Sequence, residues 1–299
     1  MMNAGVAVLG SLNDDYLFSL EGLPRVGETV LAHNMERHPG GKGANQAAAA
    51  ARMGARVSLI GAVGTDAAGI EAVQALVDLG VDVSHVRAHD EVATGTAIVL
   101  VDGHGSNSIV VASGANAQLS PDSVADALNE SAADVLLAQL EVPIPVVRGA
   151  FAGARARAMV TVLNAAPAVE DAHLLLDLVD VLVVNETEAR LLTEQLGDLG
   201  EDPNWVQIAE RLLSNVGRAV VITLGRRGCV VSSAEGSQEL PAEVVEVVDS
   251  TGAGDVFCGS LAALLAAGYG VHEAARISVG HATSAVQWSG ARPPAAYRA

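Results

Sequence analysis

The feature that most limits what this chain can become is a set of short apolar runs separated by longer stretches of helical periodicity. They are Val6–Leu9, Val57–Ile60, Val135–Leu137, Val160–Leu163, Val181–Val184 and Val220–Ile222. Each is Val-rich, bounded by Gly or polar residues, and too short for a buried helix, which predicts parallel strands covered on both faces. Helices are expected at Ala44–Met53, Ile70–Leu79, Asp255–Ala267 and His272–Val286, and the first three end at Gly54, Gly80 and Gly268. The expected fold class is α/β: a doubly wound, mostly parallel sheet flanked by helices. With 299 residues, half of them apolar, the chain suffices for a single domain over 1–299.

Two stretches break this rhythm, Asn13–Arg37 and Thr94–Ala112, where alternating patterns flank polar turns such as Asp102-Gly103-His104-Gly105. They predict antiparallel hairpins. The four strands either form a small antiparallel β lid over about 13–37 and 94–112, or run along the edge of the main sheet.

Charge narrows the function. There are 17 basic and 35 acidic residues, a formal net charge of −18, which repels nucleic-acid backbones and anionic lipid. Neither is an expected partner. A phosphorylated ligand must then be gripped locally, by backbone N–H groups, a metal ion or a few cations. Cys229 and Cys258 are not spaced as a metal or redox pair and sit in apolar sequence, as buried thiols in a reducing compartment would. No run approaches the ~20 apolar residues of a membrane span, and the N-terminus lacks a basic region followed by an apolar stretch. A cytoplasmic location is expected.

The segment with the most chemistry is Asp249-Ser250-Thr251-Gly252-Ala253-Gly254-Asp255, which leads into an apolar helix. Gly252, Ala253 and Gly254 leave backbone N–H groups unshielded at the positive end of the helix dipole, an anion hole. A carboxylate there would repel a bound anion. It makes sense if Asp255 takes a proton from a hydroxyl that attacks a phosphoryl group held at the hole; the alternative is a plain helix cap.

Gly40-Gly41-Lys42-Gly43-Ala44-Asn45 also precedes a helix, but it is neither a P-loop nor a dinucleotide fingerprint. Gly43 stands where a P-loop needs Ser or Thr, Glu36 where it needs Gly, and Gln46 replaces the fingerprint's third glycine. Its glycines, cation and amide suit a polyhydroxylated ligand, and Asn13-Asp14-Asp15 after the first strand supplies matching acceptors, unless it is only a turn. Asn185-Glu186-Thr187-Glu188 follows another strand. Its carboxylates either reach Mg²⁺ through water or serve only as favourable first-turn charge.

Taken in order, these residues resemble the ribokinase family of carbohydrate kinases, over essentially the whole chain. The pieces are Gly10 to Asp15, Gly40 to Ala47, Gly114-Ala115-Asn116-Ala117, Gln139-Leu140-Glu141, Asn185 to Glu188, Thr223-Leu224-Gly225 and Asp249 to Asp255. The resemblance implies ATP-dependent phosphorylation of D-ribose at O5, with Asp255 as catalytic base and Gly252, Ala253 and Gly254 as its anion hole. It assigns sugar contacts to Asn13, Asp15, Gly41, Lys42, Asn45, Glu141 and Asp255. Nucleotide contacts fall to Asn185, Glu188, Thr223, Leu224, Gly225, Gly228, Gly254 and Val279, with Glu188 tied to Mg²⁺ through water.

A monovalent-cation (K⁺) loop is implied at Asp249, Thr251, Ala285, Trp288 and Gly290. Its last position is Pro294 where the family commonly offers a Ser hydroxyl, so weaker or less selective K⁺ activation is expected. Val279 replaces a polar residue beside the adenine, and Gly105-Ser106-Asn107 lacks the Glu usual in that turn. The family's lid also implies a homodimer. The remaining alternatives are a kinase of another small sugar or a nucleoside, a non-catalytic sugar sensor, and a nicotinamide-dependent oxidoreductase.

Overall fold

Each of the six apolar runs lies inside a strand of one nine-stranded sheet. The computed structural model describes residues 5–103, 107–193, 203–288 and 290–291. In chain order the strands are β1 (Gly5–Leu9), β2 (Asn13–Ser19), β3 (Asn34–Gly40), β4 (Arg56–Gly64), β5 (Val86–His89), β6 (Gly95–Val101), β7 (Asn107–Ala112), β8 (Val135–Ala138), β9 (Val160–Asn164), β10 (Val181–Asn185), β11 (Ala219–Thr223), β12 (Cys229–Ser233) and β13 (Gly236–Leu240). The helices are α1 (Lys42–Arg52), α2 (Ala67–Val77), α3 (Pro121–Glu130), α4 (Ile144–Ala156), α5 (Glu186–Thr193), α6 (Trp205–Leu213), α7 (Ala253–Ala266) and α8 (Val271–Ala285).

The main sheet runs β13-β12-β11-β10-β9-β8-β1-β4-β5. Its strands from β11 to β5 pair in parallel, while β12 and β13 add antiparallel at one edge. After β1 the chain winds one way to β4 and β5, then returns to β8 on the other side. That reversal opens a crevice at the carboxyl ends of the strands, where ligands of open α/β sheets bind.

Successive residues of a strand face opposite layers, so β1 sends Val6 and Val8 to one core and Ala7 and Leu9 to the other. The first core is roofed by α1, α2, α7 and α8, the second by α3, α4, α5 and α6. With few large side chains, the first layer closes through small residues. Ala47–Ala50 of α1 are buried, and a Cβ on Gly259 of α7 would lie 2.4 Å from the Gln46 carbonyl oxygen and 2.7 Å from the Ala49 Cβ. Two helix starts are thereby brought together, that of α1 at Lys42 and that of α7 at Ala253.

The two rhythm-breaking stretches form a separate four-stranded sheet, β3-β2-β6-β7, and not edge strands of the main one. Each stretch is an antiparallel hairpin, and the two join through a parallel β2–β6 pair. One face carries Asp15, Ala97 and Val99, with the two apolar side chains buried; on β2 and β6, Tyr16 and Ile98 stand opposite each other on the other face. The turn around Gly105-Ser106 lies outside the described residues. Among the described residues no helix is long and apolar enough to cross a membrane.

Candidate active site

The site grows from the short turns that follow strands. Gly252 sits at φ 77°, a left-handed conformation that L side chains resist, and a Cβ there would stand 2.6 Å from Ala291. This turn starts α7 at Ala253 with no side-chain cap. The amides of Gly254 and Asp255, in the first turn, therefore have no partner within the helix. A Cβ on Gly254 would meet nothing within 4 Å. The space beside Gly254 suits an anion, but of the three amides expected to be open that of Ala253 is engaged, donating to the Ser250 carbonyl at 3.3 Å.

Asp255, 7% exposed, is gripped from α1. Its Oδ2 accepts from Asn45 Nδ2 at 3.1 Å and its Oδ1 from Gln46 Nε2 at 2.9 Å. Lys42, partly buried, opens the same helix. Burial works against its ammonium, but the carboxylates of Asp255, Glu141 and Glu188 outweigh that and raise its pKa. Lys42 is therefore a committed cation in a field of three acids.

Glu141 follows β8 at the reversal point and accepts from Ser11 Oγ at 2.5 Å and from the Lys42 amide at 3.1 Å. Asn13, 2% exposed, accepts from Asn116 Nδ2 at 2.8 Å. Asn116 also pins the strand start by taking the Leu12 amide at 3.0 Å and donating to the Leu12 carbonyl at 3.1 Å. Asp15 lies over Gly40, next to Gly41, where a Cβ on Gly40 would come 1.8 Å from its Oδ2. Asp14 alternates to the other side of β2 and pairs with Arg37 at 2.7 Å. Asn13, Asp15, Gly41, Lys42, Asn45, Glu141 and Asp255 thus gather at the first turns of α1 and α7 and the ends of β1 and β8.

A second group lies at the neighbouring strand ends. Asn185 and Glu188 cap α5 reciprocally: Glu188 accepts from the Asn185 amide at 2.8 Å and from its Nδ2 at 3.0 Å, and donates its own amide to Asn185 Oδ1 at 2.9 Å. Burial pushes the Glu188 carboxyl up, aided by Asp255 and opposed by the Asn185 amide and Lys42. Thr223 stands opposite Asn185 in the sheet register. Leu224 is buried, and Gly225 to Gly228 close a tight turn in which the Leu224 amide donates to the Gly228 carbonyl at 2.8 Å. Val279 is placed differently from these open positions, 7% exposed in the apolar layer under α8.

Asp249 stitches the loop before α7 to the turn after α8. Its Oδ1 accepts from the Thr251 amide and its Oδ2 from the Gly290 amide, both at 2.8 Å. Ala285 ends α8, where the last carbonyls lack helical partners and carry the negative end of the dipole. Carbonyl oxygens of Thr251, Ala285, Trp288 and Gly290 are the donor chemistry a monovalent cation takes, so these residues fit one. Pro294 lies outside the described residues. Among the described residues no cluster of His, Cys, Asp and Glu could cage a metal by itself. A divalent ion here must therefore share its shell with ligand phosphate and water.

Five polar residues join the site beyond those the motifs single out for a role: Ser11, Gln46, Asn116, Gln139 and Asn164. Four sit inside the motif segments and Asn164 ends β9. For Ser11, Gln139 and Asn164, position at a strand end was the available signal. Cys229 and Cys258 are buried free thiols, and burial pushes Cys229 up to about 12.

A family model described as "pfkB family carbohydrate kinase" matches residues 3–296. The chain is 36% identical to a ribokinase of Haemophilus influenzae, over 97% of this chain and 95% of that one. It is 37% identical to a ribokinase of Staphylococcus aureus, over 88% and 87%. Among solved structures, the ribokinase of Arabidopsis thaliana complexed with ribose and ATP aligns with a TM-score of 0.83 at 30% identity, covering 97% of this chain and 95% of that one.

Proposed function

Because the chain belongs to the pfkB family of carbohydrate kinases, we propose that it transfers the γ-phosphoryl group of ATP to O5 of D-ribose. Asp255 takes the hydroxyl proton as the oxygen attacks phosphorus, the bond to the β–γ bridging oxygen breaks, and ADP leaves. The amides at Gly252 and Gly254 receive the charge that develops on the transferred group, and that of Ala253 joins them only by leaving the Ser250 carbonyl. Asn13, Asp15, Gly41, Lys42, Asn45 and Glu141 bind the sugar. Asn185, Thr223, Leu224, Gly225 and Gly228 hold the nucleotide, and Val279 backs the adenine from the core.

The observation that carries this reading is the Asn45–Asp255 hydrogen bond. It joins the segment suited to a sugar and the segment suited to a phosphate at one carboxylate, across 210 residues of sequence. A nucleoside substrate fits less well. Tyr16 is on the face of β2 opposite Asp15, as strand alternation requires, and Phe18 shares its side, so neither aromatic ring is on the sugar side.

Mg²⁺ held through water by Glu188, together with phosphate oxygens, supplies charge neutralisation for the transferred group when bound. Asp249, Thr251, Ala285, Trp288 and Gly290 would hold K⁺, whose charge would order the loop before α7. The small sheet acts as a lid over the sugar and as the contact of a homodimer, which its exposed Ile98, Ile109, Val110 and Val111 support. A cytoplasmic location accords with ATP as substrate and with two buried free thiols.

A coupled ADP-release assay tests this over ribose, 2-deoxyribose, fructose and adenosine, each in K⁺, Na⁺ and tetramethylammonium. Ribose is expected to give the highest kcat/KM, since each polar group left unpaired costs roughly 1–3 kcal/mol. K⁺ is expected to give the highest rate. A higher kcat/KM for adenosine or fructose overturns the substrate, and equal rates in all three salts overturn the cation site.

A further inference from the structure

Behind Asp255 lies a buried set of amides that the reaction as described does not use. Gln46 is fully buried, and its Nε2 donates both to Asp255 Oδ1 at 2.9 Å and to Asn164 Oδ1 at 3.0 Å. Its Oε1 accepts from Gln139 Nε2 at 2.6 Å. Asn164 is oriented in turn by donating to the Val183 carbonyl at 3.4 Å.

The direction of this network follows from charge. A carboxylate only accepts hydrogen bonds, so Gln46 must turn its N–H groups toward Asp255 and its oxygen toward Gln139. Gln139 must then donate. Its own Oε1 is left buried without a hydrogen-bond partner, against Gly10, where a Cβ would come within 2.1 Å of it. Flipping the Gln139 amide would not relieve this, because two amide oxygens would then face each other across 2.6 Å. A fold tolerates a lone buried acceptor only where something else holds it there.

We infer that Gln46, oriented by Gln139 and Asn164, is the positioning residue for the base: it fixes the plane of the Asp255 carboxylate against the sugar hydroxyl. This rests on the reading of Asp255 as base. Without Gln46 the carboxylate turns about its Cβ–Cγ bond and spends less time aligned with the hydroxyl. Sugar binding, made by other residues, is kept. The other ionisable groups that face Asp255 are Lys42 from α1, Glu188 from α5 and Cys258 on its own helix, and all remain when Gln46 is changed.

The test is Gln46→Met, Gln139→Met and the double variant. For Gln46→Met we expect kcat to fall roughly 10- to 100-fold while KM for ribose stays within about threefold. Gln139→Met should lower kcat by less, again with KM for ribose held. The double variant should be no worse than Gln46→Met, because Gln139 acts only through Gln46. Wild-type kcat in Gln46→Met, a loss carried by KM instead of kcat, or additive losses in the pair overturns the inference.

Should Gln46→Met fail to fold, Gln139→Met decides by the same two readouts. Asp255→Asn separates the two readings. If it retains wild-type kcat, the base itself is wrong and the positioning role falls with it; if it is inactive while Gln46→Met matches wild type, only the positioning role fails.

Discussion

At the scale of single residues, the proposed chemistry rests on one carboxylate that accepts from Asn45 and Gln46. In Asp255→Asn the new side chain is nearly isosteric and still hydrogen-bonds the sugar hydroxyl. Ribose affinity by calorimetric titration should therefore change little. Turnover should fall about 10²–10⁴-fold, the usual contribution of a general base. If Asp255 were only a helix cap, Asn would serve nearly as well and kcat would hold. Asp255 stood out in the sequence because a carboxylate directly after a Gly-rich helix start is an unusual pairing, and that is the basis for the role proposed for it. Gln46 was not legible in the same way. An amide both donates and accepts, and which it does is set by neighbours from β8, β9 and α7.

At the scale of elements, the small sheet is fastened to the main domain through the start of α2. Asp66 caps α2 by accepting the Gly69 amide at 2.9 Å, and it also takes the Thr94 hydroxyl at 2.6 Å and the Thr94 amide at 2.9 Å, just before β6. Desolvation works to raise its pKa, but the hydrogen bonds from Thr94 and Gly69 outweigh it and hold the carboxyl below its ordinary 3.8. A depressed carboxyl stabilises the fold above its unfolded pKa and ceases to do so as pH falls through the folded one. Asp66→Ala should therefore cost about 1–2 kcal/mol in urea melts at pH 7, and the gap to wild type should close as pH drops below about 4. A gap that does not narrow at all between pH 7 and pH 3 would show that the ionised side chain is not what matters. The elements read most readily from sequence were those with a clean period, such as β8 or α7. The antiparallel edge strands β12 and β13 escaped: Ser232, Ser233 and the polar run Gly236–Glu239 carry no apolar period, and only the pairing of β12 with β11 and of β13 with β12 makes them strands.

At the scale of the whole molecule, an exposed apolar patch and a large negative charge act against each other. Ile98 on β6 and Val110 on β7 are register partners, 41% and 62% exposed, a face that gains from being covered. Two copies each carrying −18 repel, and salt screens that repulsion. Light scattering at micromolar concentration should show a dimer that tightens as salt rises. Val110→Lys should leave a monomer with its fold intact by circular dichroism. A wild-type monomer at every salt concentration would remove the homodimer from the functional reading.

The α/β class, the doubly wound sheet and the two hairpins were all present in the sequence by itself, because each depends on local periodicity or on residues adjacent in the chain. Only the tertiary structure decided that the hairpins join through a parallel β2–β6 pair and that Asp14 turns from the site while Asp15 stays beside it. It also showed that Gln46 and Gln139 stand behind Asp255. Those outcomes depend on register and on how closely α1 and α7 approach, and that approach is set by Gly259 meeting the backbone at Gln46, more than 200 residues away along the chain. Local pattern carries no information about such a contact, because its energy exists only once the sheet has brought the two helices together.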